Sequence, residues 1–285
     1  MAARPRTLPA AIAPVLVGTS LAIRVGPFRP LAFAAALLGA MLIQIGTNLS
    51  NDYSDARRGA DTDDRLGPMR VTAGGLVPPR RVLVATYVTF GLAVLCGVYL
   101  IAVAGWLLLA VGAASILAGV LYTGGPRPYG YEGLGEVFVF LFFGIVAVTG
   151  SYFVERRDLP WEAFVLAVPV GLLIAAILVV NNIRDIETDR RAGKRTLAVR
   201  LGRRRMRIVF IAMLVLAFAA GLVCWLAGSL SAWLALTLLA TPVAVGLART
   251  VLTHTDGPSL NAALARSGVL ALLYCLLLSA GILAS

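Results

Sequence analysis

Charge is what this sequence has least of. Asp, Glu, Lys and Arg make up only 14% of its 285 residues, 59% are hydrophobic, and the mean hydropathy is +0.88. A water-soluble domain of this length needs far more charge to cover its surface, so composition excludes that class and leaves the bilayer as the solvent. Cysteine is scarce too. Cys96, Cys224 and Cys275 all fall inside apolar runs, in neither disulfide nor metal-binding spacing, and read as small buried hydrophobes. The single histidine, His254, sits in an expected loop before Gly257 and Pro258 and is assigned no role. The N-terminus shows no short apolar stretch ending in a small-residue cleavage site, so no removable signal peptide is expected.

What is abundant is apolar sequence in runs of spanning length, about 20 residues each. Candidate spans are 9–23, 31–50, 82–104, 106–122, 136–153, 163–183, 207–227, 232–252 and 262–284. The expected fold is therefore all-α: a polytopic membrane protein of about nine transmembrane helices, forming one domain over residues 1–285. Net charge is +11, and its placement tells more than its size. Six of the 25 basic residues lie in 54–81 and ten in 184–207. With nine spans, the N-terminus and the loops after spans two, four, six and eight share one face, which carries 20 of the basic residues against four on the other. The excess of Lys and Arg puts the N-terminus and both large loops in the cytoplasm of a cell-membrane protein. Basic loops also suit nucleic acid, but no recognition module accompanies them and no nucleic-acid partner is expected.

The acids are more unevenly spread still. Eight of 14 lie in two clusters, Asp52, Asp55, Asp61, Asp63 and Asp64, then Asp185, Glu187 and Asp189. Each cluster begins at the cytoplasmic end of an expected span, as N-D-Y-S-D at 51–55 and as N-N-I-R-D at 181–185. The match, four spans apart, suggests an internal repeat. Asn48, Asn51, Asp52 and Asp55 fall at i, i+3, i+4 and i+7, and Asn181, Asp185 and Asp189 at i, i+4 and i+8, so each helix ends in a polar stripe on one face. Carboxylates at a helix C-terminus oppose the macrodipole and repel one another, so a cation must offset them. Either the arginines of the same loops do so, or a divalent ion with hard oxygen ligands, Mg²⁺ being the usual choice beside phosphates. Polar groups at membrane depth are costly and mark a site. Asp63, Asp64 and Glu187 lie off the stripes and read as solvated loop acids. The loops add glycines, which allow close backbone approach, and bases that clamp phosphate oxygens, with Lys194 and Arg195 flanked by Gly193 and Thr196. Metal-holding acids beside phosphate-holding bases are the pattern expected for a diphosphate.

These residues resemble the UbiA superfamily of intramembrane aromatic prenyltransferases, which pair an N-D-x-x-D motif after the second helix with D-x-x-x-D after the sixth. Here the counterparts are 51–55 and D-I-E-T-D at 185–189. The stretches 4–15, 51–62, 65–70, 121–140 and 189–199 are similar to the branch whose acceptor is 1,4-dihydroxy-2-naphthoate. In one respect the chain departs from the superfamily: Gly59 stands where many members carry a further Asp, and Asp61 is the next acid. The resemblance implies that Asp52, Asp55, Asp61, Asp185 and Asp189 hold Mg²⁺ against a polyprenyl diphosphate. Asn48 and Asn51 would supply neutral oxygens, and Asn181 lies on the second stripe. Lys194, Arg195, Arg58, Arg65 and Arg70 would neutralise the departing diphosphate. The isoprenoid tail would lie between helices in membrane lipid. The acceptor, an aromatic acid, wants cationic or hydrogen-bonding partners, for which Arg6, Arg127, Tyr129 and Tyr131 are candidates, although anchoring at the interface explains each equally well. Its carboxylate would leave as CO₂, giving demethylmenaquinone. Competing readings are another acceptor (hydroxybenzoate, homogentisate, a chlorin or haem), an anion transporter, and a basic scaffold. A transporter would place its acids near the bilayer midplane rather than at one face, and a scaffold leaves the paired stripes unexplained.

Overall fold

The computed structural model describes residues 4–60, 66–67 and 70–285, without the side chain of Arg6. Asp61 and Arg65 lie outside the described residues, as do Asp63 and Asp64.

Among the described residues the chain is helical throughout, with no β-strand. In order, the helices are α1 (Pro9–Val25), α2 (Pro30–Arg57), α3 (Pro79–Ala104), α4 (Leu107–Leu121), α5 (Gly135–Arg156), α6 (Trp161–Arg184), α7 (Ile186–Arg191), α8 (Leu197–Leu226), α9 (Ala232–Thr253) and α10 (Gly257–Leu283). Seven are long and apolar enough to cross a membrane, and α1 and α4 are shorter apolar helices, in keeping with the expected nine. The protein is a multi-pass membrane protein. Only α7, six residues long, was not anticipated as a separate helix.

Burial assigns each helix its place. In the most apolar window of α6 67% of residues are buried, against 22% for α2 and 17% for α3, so α6 forms the axis of the bundle while α2 and α3 present much of their surface to lipid. The core gathers Leu166, Leu173, Ile183, Phe210, Leu260 and Tyr274, from α6, α8 and α10. Most elements start as their sequences dictate. Proline occupies the first turn of α1, α2 and α3, where its missing N–H costs nothing. Asp256 caps α10 by accepting from the Ser259 amide at 2.8 Å.

Boundaries differ most from expectation at the seventh span. The seventh span begins at Leu197 rather than near 207, because Arg200, Arg203, Arg204 and Arg205 continue the helix. Arginine is a good helix former, and its charge ends the apolar run without ending the helix. A kink at Gly202 (φ 77°) divides the first turn, which carries Arg200, from the part that carries Arg203, Arg204 and Arg205 and then crosses the membrane.

Two glycines position the site. Gly59 takes φ 64°, with Gly59 N–H bonding the Ala56 carbonyl at 3.1 Å and Ala60 N–H the Asp55 carbonyl at 3.0 Å. This is the paired hydrogen-bond stop of a helix end, which needs a left-handed residue after the cap. The residue that replaces the expected carboxylate thus terminates α2 just beyond its polar stripe. Gly144 lies in a π-helical stretch of α5, Phe140–Val146, and crosses α6 at Gly171. A Cβ at Gly144 would stand 2.6 Å from the Gly171 Cα. The wide π turn and the close crossing bring Phe138, Phe142 and Phe143 to the interior. Gly144→Ala is expected to destabilise the protein by about 1–3 kcal/mol through overpacking, measured as a lowered thermal midpoint in detergent.

Candidate active site

A cavity of about 550 Å³ runs through the bundle, bounded by α1 to α7 and α10. Its head is polar, formed by Asn48, Asn51, Asp55, Asp185, Asp189 and Lys194. Its body is apolar and lined at many points by small residues, among them Ala36, Gly39, Gly97 and Gly112, which leave the lumen open. Among the described residues, nothing from Leu197 to Thr253 borders it.

Asp55 is the hub of the head. Although 1% exposed, it accepts from the Tyr131 hydroxyl at 2.6 Å and pairs with Arg70 at 3.1 Å, while the Lys194 ammonium stands 4.0 Å away. The same Lys194 Nζ lies 3.7 Å from Asp189 and 4.8 Å from the centre of the Tyr131 ring. Lys194 is the chain's one lysine, and it draws a carboxylate from each motif toward a single positive charge. The two acidic stripes, 134 residues apart at Asp55 and Asp189, therefore approach the same ammonium.

The neighbouring residues are held firmly. Asn51 accepts from Thr123 at 2.9 Å, and Asn48 donates to Thr7 at 3.0 Å. Asp185 is gripped by Arg184 at 2.8 and 2.6 Å. Arg184, 3% exposed, also reaches Asn181 at 2.9 Å and Asn261 of α10 at 2.7 Å, and Asn261 in turn donates to the Leu66 carbonyl at 2.8 Å. Sequence spacing hides the Arg184–Asp185 pair, since consecutive residues of a helix do not face each other. It forms because the helix breaks at Asp185 between α6 and α7. The loop after α4 is tied to the loop before α8 by the Arg195 amide, which donates to the Tyr131 carbonyl at 2.8 Å, and by Arg200 to Glu132 at 3.0 Å.

Other expected residues are placed differently. Asp52 lies on the same helix end, but it is turned from the cavity and accepts from the amides of Val71 and Thr72 at 3.3 and 3.0 Å. It anchors the loop that delivers Arg70. Arg127 and Arg195 are exposed and, among the described residues, do not border the cavity. Arg58 is exposed as well, donating to the Gly125 carbonyl with its guanidinium 5.9 Å from the Tyr131 ring centre. Residues that spacing did not reveal are Tyr122 and Asn182, both lining the cavity, and Glu136 behind Asn182. Burial, then the Glu136 carboxylate, raises the Tyr122 phenol far above its ordinary pKa, and burial raises Tyr129. Both stay neutral hydrogen-bond donors.

The donor set suits a hard divalent ion shared with a phosphate. Among the described residues no three acids, histidines or cysteines form a closed cage. Mg²⁺ in phosphate sites needs only one or two carboxylates, its other positions going to water and phosphate oxygens. Asp55 and Asp189 supply two, Asn51 lies alongside, and the Lys194 ammonium marks where positive charge is accommodated between them.

Fold and site together define a membrane-embedded enzyme of the intramembrane prenyltransferase class. The chain belongs to the UbiA prenyltransferase family, whose profile matches residues 11–276. It is 43% identical over 274 residues to the 1,4-dihydroxy-2-naphthoate octaprenyltransferase of Mycobacterium tuberculosis, covering 96% of this chain and 92% of that protein. To the Escherichia coli protein of the same name it is 41% identical over 290 residues, covering 99% and 94%. A UbiA homologue from Archaeoglobus fulgidus, solved bound to GPP and Mg²⁺, shares the fold with a TM-score of 0.70 at 14% identity, over 100% of this chain and 98% of that one.

Proposed function

We propose that the protein transfers a polyprenyl chain from polyprenyl diphosphate to 1,4-dihydroxy-2-naphthoate, releasing diphosphate and CO₂ and yielding demethylmenaquinone in its reduced, quinol form. The observation that carries the reading is the meeting of Asp55 and Asp189 at Lys194, at the polar head of an otherwise apolar cavity. Relatives 43% and 41% identical that bear the name of this activity support the choice of acceptor, and the homologue bound to GPP and Mg²⁺ supports that of donor and metal.

The diphosphate sits at the head and the isoprenoid chain in the apolar body of the cavity, continuous with membrane lipid. Asp55 and Asp189, with Asn51, Asn48 and Asp185 beside them, would hold Mg²⁺. The ion, when bound, neutralises charge that grows on the diphosphate as its bond to the allylic carbon breaks. Lys194 and Arg70 are positioned for the same oxygens, and a site shielded from water strengthens each of these interactions. As the C–O bond breaks, its electron pair leaves with the diphosphate. The electron-rich ring then attacks the allylic carbon. Loss of the carboxylate as CO₂ returns its bonding pair to the ring, so aromaticity is restored without a base at the attacking carbon. The apolar walls keep water from the cation and limit hydrolysis. Asp52 contributes by fixing the Val71–Thr72 turn, and through it Arg70. The skew of basic residues, 20 against four, supports a cytoplasmic N-terminus and cytoplasmic motifs. The equivalent polar ends of α2 and α6 support a single domain built on an internal repeat.

The test is turnover by purified protein in detergent, with labelled polyprenyl diphosphate, Mg²⁺ and a panel of aromatic acids. Prenylated product and CO₂ are expected with dihydroxynaphthoate alone. Product with hydroxybenzoate or homogentisate instead would reassign the acceptor, and no product with any acid would overturn the reading.

A further inference from the structure

Glu136 is a buried acid that the reaction as described leaves without a role. It lies in the first turn of α5, is 4% exposed, and accepts from the Asn182 side-chain amide at 2.8 Å through Oε1. Its second oxygen, Oε2, is buried with no hydrogen-bond partner among the described residues. A carboxylate in such a place is costly. The N-terminal end of α5 offsets part of that cost, yet an apolar side chain would fill the space more cheaply.

The consequence falls on Asn182. This residue borders the cavity, whereas Glu136, among the described residues, does not. A carboxamide has one donating end and one accepting end. With its NH₂ group drawn to Glu136, Asn182 turns its carbonyl Oδ1 toward the lumen, so what binds there must bring a hydrogen donor. Neither the ionised diphosphate nor the hydrocarbon chain carries one. Of the two substrates only the aromatic acceptor does, in its hydroxyl groups. A flat aromatic surface also borders the same cavity: Tyr129 and Phe138 stack with ring centres 4.0 Å apart, and Phe142 continues the series at 6.2 Å from Phe138.

We propose that Glu136 is a positioning residue that locks the Asn182 carboxamide, and that Asn182 Oδ1 accepts a hydrogen bond from an acceptor hydroxyl, seating the fused ring beside Phe138 and Tyr129. The inference rests on the functional reading above. Besides orienting the ring, the bond shifts electron density from the hydroxyl oxygen into it, which favours attack on the allylic carbon.

Steady-state kinetics test this with two substitutions at Glu136. Glu136→Met frees the Asn182 amide and is expected to raise KM for dihydroxynaphthoate about tenfold, with KM for polyprenyl diphosphate unchanged. Glu136→Gln keeps an accepting oxygen and should restore acceptor KM to within about threefold of wild type. A merely structural role would move both KM values together, and that result would overturn the proposal. Should Glu136→Met fail to fold, Asn182→Ala carries the test with an acceptor in which one hydroxyl is methylated. For one of the two monomethyl ethers, methylation should weaken use by wild type about tenfold while costing the variant little. Equal penalties in both proteins for both ethers would overturn it. Wild-type protein that makes no product with any acid overturns the functional reading, and this inference with it. Wild-type activity combined with unaltered acceptor KM in Glu136→Met and Asn182→Ala overturns this inference alone.

Discussion

Asp55→Asn is expected to lower kcat by about 10²–10³-fold while leaving the protein folded. Asparagine keeps the size of the side chain and can still accept from Tyr131, whose hydroxyl lies 2.6 Å from Asp55. It removes the negative charge to which Arg70, at 3.1 Å, and Lys194, at 4.0 Å, are drawn. Two effects then combine. One hard anionic ligand is lost from the place where metal and diphosphate meet, and the carboxylate that Arg70 and Lys194 share is neutralised, leaving Lys194 with Asp189 at 3.7 Å. Both act on the charge that develops as the donor ionises, so the loss falls on kcat more than on acceptor KM. Rates of dihydroxynaphthoate prenylation at saturating Mg²⁺, wild type against variant, check this. A variant within about threefold of wild type would remove Asp55 from the centre of the chemistry.

Lys194→Met should be nearly as severe, about 10²-fold in kcat, and Lys194→Arg should not restore full activity. The ammonium is a compact charge within 4.0 Å of carboxylates on both motifs, and it packs over the Tyr131 ring at 4.8 Å. A guanidinium is wider and planar, and cannot occupy a point between two carboxylates without displacing one. Single-turnover ionisation of labelled donor, followed as diphosphate release, isolates this step. Equal rates for wild type and Lys194→Met would show that the lysine only balances the acids in the resting site.

The two ends of the site were readable because helical geometry acts over short distances. Asn48, Asn51 and Asp55, like Asn181, Asp185 and Asp189, sit one turn apart, and all six border the cavity. Asp52 obeyed the same spacing yet points elsewhere, since a face of a helix spans a wide arc and the Val71 and Thr72 amides lie on one flank of it. What spacing could not reveal are contacts made by loops. Arg70 reaches Asp55 from 15 residues away and Tyr131 from 76, distances over which no periodicity operates. The choice between Lys194 and Arg195 turned on one residue of loop geometry. Gly193 adopts φ 72° and the Arg195 amide bonds the Tyr131 carbonyl, leaving Arg195 outside and Lys194 inside. Arg184 escaped notice because its pairing with Asp185 depends on a helix break that nothing in the apolar pattern marks. Gly59, an anomaly when considered as a missing ligand, is explained once it is seen to end α2.

That the two acidic motifs jointly hold a metal–diphosphate group is tested most directly with Mn²⁺ in place of Mg²⁺. Electron paramagnetic resonance of the protein with a non-ionisable polyprenyl diphosphate analogue is expected to show bound Mn²⁺ coupled to ³¹P. That signal should be lost in Asp55→Asn and in Asp189→Asn alike. Coupling to phosphorus that survives both substitutions would contradict a shared site.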